Sequence, residues 1–95
     1  MKFDEFSQSL KESHPPAQYS ETLQSLWHAK KENWDRAHQI VQDLSSREAA
    51  WVHAYLHRVE GDISNADYWY SRSGHSRSKL TLDEEWMEIV KALLH

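Results

Sequence analysis

The amino-acid sequence predicts an all-α fold of about six helices: two stacked antiparallel helical hairpins and a C-terminal capping helix. Three observations predict it. Apolar residues recur at spacings of three and four, strand-like alternation is missing, and only two Gly and two Pro interrupt 95 residues. Ninety-five residues make one domain. Within it, hairpin one spans about 16–44, hairpin two about 47–73 and the capping helix about 82–94.

Phe3, Phe6 and Leu10 mark a short first helix that ends before Pro15-Pro16, because a residue preceding proline avoids the α region. From about Pro16 to Lys31, the stripe Tyr19, Leu23, Leu26, Trp27 predicts a second helix with its proline in the first turn. Asn33 then caps a third, in which Trp34, Ala37, Ile40, Val41 and Leu44 share one side. Ser45-Ser46-Arg47-Glu48 reads as a capping box, with Ser45 as the cap and Glu48 reaching back, and opens a fourth helix that runs to about Glu60. Gly61 can close that helix in the left-handed conformation and Asp62 can cap the next at once. A turn that short makes an antiparallel hairpin. The fifth helix runs from about Ile63 to Ser73, with Gly74 as its stop, and the Ser-rich, locally basic stretch that follows is a linker. Thr81-Leu82-Asp83-Glu84 is a second capping box, opening a last helix with the stripe Leu82, Trp86, Ile89, Val90, Leu93.

Composition narrows the function classes. Only 18 residues are Leu, Ile, Val or Phe, but five Trp and four Tyr make up the buried area, so the core is aromatic and amphipathic. A formal charge of −4 argues against duplex nucleic acid as a partner. Seven His residues make the charge sensitive to pH. The absence of cysteine is compatible with a reducing cytoplasm. The start Met1-Lys2-Phe3-Asp4-Glu5-Phe6 has no signal-peptide core, and the uncharged run Ala49 to His57 is less than half a membrane span. A cytoplasmic protein with no membrane partner is expected.

An internal repeat is visible. Glu32 to His38 aligns with Gly61 to Asp67 at an offset of 29, matching caps and alanines, and puts Trp27-His28 on Leu56-His57. The second unit, Gly61-Asp62-Ile63-Ser64-Asn65-Ala66 with Tyr70, resembles the tetratricopeptide repeat family, with Ile63 in place of the usual aromatic. The string Trp51 to Asp62, followed by Asn65-Ala66 and Tyr68-Trp69-Tyr70, also resembles a family of small uncharacterised bacterial proteins, which implies no activity. The repeat resemblance implies that Trp51, Tyr55 and Arg58 line a concave binding face. It also implies that His53 and His57 replace apolar residues packed against the following helix. The first unit departs from the pattern, with Glu32 where glycine is expected.

Two constellations can carry chemistry. Trp51, Tyr55, Arg58, Asp62 and Tyr68 are the candidate binding residues, since Trp, Tyr and Arg dominate binding hot spots. Arg58 is the best candidate for an exposed functional group. His53 and His57, at i and i+4 with Glu60 three further on, can hold a transition metal if His28 or His38 folds in as a third ligand. A hydrogen-bonded structural role for the two histidines is the competing expectation. Arg72, His75, Arg77 and Lys79 read as a solvated linker. No phosphate-binding glycine loop and no nucleophile motif is present, so an enzyme is not indicated. The leading expectation is a protein- or peptide-binding or scaffolding module, monomeric or homodimeric, with no cofactor. The alternative is a small-molecule or metal site, with catalysis open to it, built on His53, His57 and Glu60.

Overall fold

Polar caps set most of the helix boundaries. The computed structural model describes residues 2–94; Met1 and His95 lie outside them. It contains α1 (Lys2–Ser9), α2 (Glu21–Lys30), α3 (Trp34–Gln42), α4 (Arg47–Val59), α5 (Ile63–Ser73) and α6 (Leu82–Leu93), with no strand among the described residues. Asn33, Asp62 and Thr81 each accept a backbone N–H from three residues on, as expected, and Thr81 with Glu84 completes a reciprocal capping box. Gly61 and Gly74 take φ of 85° and 84°, the left-handed conformation that closes α4 and α5.

One boundary and one cap differ from the sequence expectation, while α4 starts at Arg47 as expected. Helix α2 starts at Glu21, not near Pro16, because Tyr19 N–H bonds Pro16 O in a turn and Ser20 supplies the cap. Helix α4 is capped by Ser46, whose Oγ accepts from Ala49 N–H at 3.0 Å. Ser45 lies one residue too early, so the expected box with Glu48 does not form.

The two short turns pair the helices. α2 packs with α3, and α4 with α5, as hairpins, while α3 against α4 forms the seam between them. The offset of 29 is reproduced in the backbone. Asn33 N–H bonds His28 O and Asp62 N–H bonds His57 O, both at 2.9 Å. Glu32, aligned with Gly61, has a φ of 64°.

Helix α4 is the central element. Every residue from Ala49 to His57 is buried, the same nine that carry no charge. α6 lies across α2 and α4 and buries Trp86, Ile89 and Val90. Trp86 donates from Nε1 to Leu26 O at 2.9 Å, and its ring packs against Phe6 of α1. None of the described helices is long and apolar enough to cross a membrane.

Candidate functional site

The five candidate binding residues do not share an open groove. Trp51 and Tyr55 are buried. Trp51 stacks on His75 with ring centroids 3.9 Å apart, so the linker folds back over that end of the face. Arg58 corrects the expectation of an exposed functional group: its side chain is 17% exposed, and Nη1 donates to Glu85 Oε1 at 2.8 Å while Nη2 donates to Leu80 O. Glu85 is fully buried and its second oxygen accepts from Tyr70 Oη at 2.5 Å. Burial and this carboxylate push the Tyr70 hydroxyl well above its ordinary pKa, and burial does the same to Tyr55. The face that the sequence offers to a partner is therefore covered by α6.

Asp62 and Tyr68 lie elsewhere. Asp62 is exposed and occupied with capping, bonding Asn65 through both its backbone N–H and its side chain. Tyr68 is 53% exposed and pairs with Arg72, one helical turn on, which donates to its hydroxyl and lies 5.6 Å from its ring centroid. The linker is held too, since Arg77 forms a two-pronged ion pair with Asp67.

The histidines converge. His53 and His57 are buried on α4, and His38 of α3 meets them across the seam. Nε2 of His38 lies 3.0 Å from Nε2 of His53, a distance at which one nitrogen donates and the other accepts. One ring nitrogen from each of the three lies within 4.8 Å of the other two. His28, the other third-ligand candidate, stays outside and packs edge-on against Trp27.

The surroundings hold these rings in place. Trp34 stacks on His38 at 4.8 Å and is anchored by its own indole N–H, which donates to Leu56 O at 2.6 Å. Trp69 of α5 stacks on His53 at 3.9 Å. His57 Nδ1 lies 2.7 Å from Glu60 Oε1, which leaves Nε2 as its nitrogen free for a ligand. Glu60 thus orients His57, the arrangement by which carboxylates fix the tautomer of metal-binding imidazoles.

Electrostatics favour the neutral forms of His38 and His53. Burial, with His38 and His57 adding like charge, lowers the His53 pKa to about 4. Burial and His57 lower that of His38 too, against an opposing pull from Glu60 and Asp35. At neutral pH both rings carry a lone pair, as a metal ligand must.

Trp34 and Trp69 as ring clamps were not legible in the sequence beyond the i, i+4 spacing of Trp34 and His38. Glu85 was equally hidden, since an acidic residue in the first turn of a helix reads as exposed. Compared with protein-family models, with curated proteins and with solved structures, the chain matches none.

Proposed function

We propose that this protein binds a divalent transition metal through His38, His53 and His57. The observation that carries the reading is the convergence of three imidazole nitrogens within 4.8 Å of one another from two different helices. Three imidazoles suit zinc, copper, nickel and iron rather than magnesium or calcium, which take oxygen ligands. A tetrahedral zinc with Zn–N bonds of ~2.0–2.1 Å separates its ligand nitrogens by ~3.3 Å. The 3.0 Å between His38 and His53 needs to open by a few tenths of an ångström, and a His57 nitrogen, within 4.8 Å of both, needs to close by up to about 1.5 Å.

The experiment is a zinc or nickel titration of chelator-treated protein followed by thermal melting. At an ion concentration 100 times Kd the native state gains about 2.7 kcal/mol, which in a domain of this size raises Tm by more than about 10 °C. His38→Gln and His53→Gln should each remove most of the rise. A Tm that does not move, with no metal copurifying, overturns the reading.

A second reading, a protein- or peptide-binding module of tetratricopeptide-like hairpins, has its own support. The face of Tyr55 and Arg58 grips an amphipathic helix, α6, through Glu85. Under this reading a partner helix with a similar acidic and aromatic pattern exchanges with α6. A labelled peptide of residues 79–95 should then bind the full chain, and unchanged fluorescence polarisation would count against it. The cysteine-free composition supports a cytoplasmic setting for either role.

A further inference from the structure

The three histidines lie across the joint between the two hairpins. His38 belongs to α3, the last helix of the first hairpin, and His53 and His57 to α4, the first helix of the second. One hairpin cannot bury its own apolar face, and the two formed by the described residues hold each other along the α3–α4 seam. α3 is also the least buried of the four hairpin helices, with only Ala37 and Val41 fully inside. Its side-chain hydrogen bonds to α4 are two, Trp34 to Leu56 O and His38 to His53.

Resting on the trihistidine reading, we infer that the ion is architectural: it clamps α3 onto α4 across the seam between the two hairpins. The surroundings keep the ligands largely out of water, and three protein nitrogens leave a tetrahedral ion one position for a solvent ligand. His53 and His57 are buried, and the rings of His38 and His53 are each covered by an indole. The clamp replaces one donor–acceptor contact between two neutral imidazoles by metal bonds to all three. Opening α3 then requires losing the ion, so α3 becomes the element whose order the metal controls.

Native-state hydrogen exchange of the full chain, with and without Zn²⁺ at 100 times Kd, tests this. Zinc uptake is measured separately by competition with a chromogenic chelator. Amides of α3 that exchange through local opening should slow by up to about 100-fold, while those of α1, which takes no part in the site, change little. His38→Gln, checked for retained helicity by circular dichroism, should abolish the slowing in α3 even where residual zinc binds His53 and His57. Zinc uptake with unchanged exchange in α3 overturns the clamp and leaves metal binding standing. Equal slowing in His38→Gln also overturns it. Failure of the chelator competition to detect zinc uptake overturns both readings.

Discussion

His53 is a base enclosed by two other bases, and this sets its response to pH. In the folded, metal-free chain its pKa falls from 6.5 to about 4, chiefly by burial. Below pH 6.5 the unfolded chain takes up a proton that the folded chain refuses. Stability is therefore complete above about pH 6.5 and declines as pH falls towards 4, where the loss levels off. At ~1.4 kcal/mol per pKa unit the full loss is on the order of 3 kcal/mol. His38 shifts in the same direction and adds to it. Urea unfolding at pH 7, 6, 5 and 4 checks this, and His53→Gln should flatten the profile. Stability that rises on acidification in this range would contradict the buried, neutral assignment. That His53 and His57 share a helix face was legible from their spacing. Which histidine joins them was not, because His28 and His38 are equally available to a one-dimensional reading and only packing chooses between them.

The two hairpin turns are the same device built with different residues. Gly61 and Glu32 both take a positive φ after helices that end with the same bonds, but only glycine adopts it without a clash of its own Cβ. Glu32→Gly should stabilise the protein by about 1 kcal/mol, a rise in Tm of ~4–8 °C. Gly61→Ala should cost a similar amount through the backbone alone, since a Cβ there meets nothing within 4 Å. Paired melting curves check both, and equal stability of Glu32→Gly and the parent would remove strain as the account. At this scale the sequence was most informative. Caps and glycines act over three or four residues, so Asn33, Asp62, Thr81 and Gly74 identified their boundaries. The misplaced start of α2 and the misassigned cap of α4 come from a proline turn and from adjacent serines that offer competing caps.

At the scale of the molecule, α6 closes the fold by turning a candidate binding face into an interior. Its buried Glu85 is neutralised by Arg58 of α4 and hydrogen-bonded by Tyr70 of α5, tying α6 to both helices of the second hairpin. Lys30 and Asp83 add an exposed ion pair at 2.9 Å, which contributes little. Arg58→Ala strands the carboxylate inside the protein and should cost about 3 kcal/mol. Chemical denaturation measures it. A loss within about 0.5 kcal/mol, the range of ordinary surface substitutions, would mean that Arg58 is the free group its sequence position suggested.

Helical class, number of helices, hairpin pairing and the oddity of two histidines at apolar positions were all carried by local pattern, because helix periodicity, caps and short turns are encoded by neighbours in the chain. The fates of Arg58, Glu85, His38 and the two clamping tryptophans were decided only by tertiary structure. Apart from the i, i+4 stacking of Trp34 on His38, the contacts that fix them span 15 or more residues. Burial, desolvation and the convergence of imidazoles depend on how α3, α4, α5 and α6 close on one another, and no spacing along the chain records that.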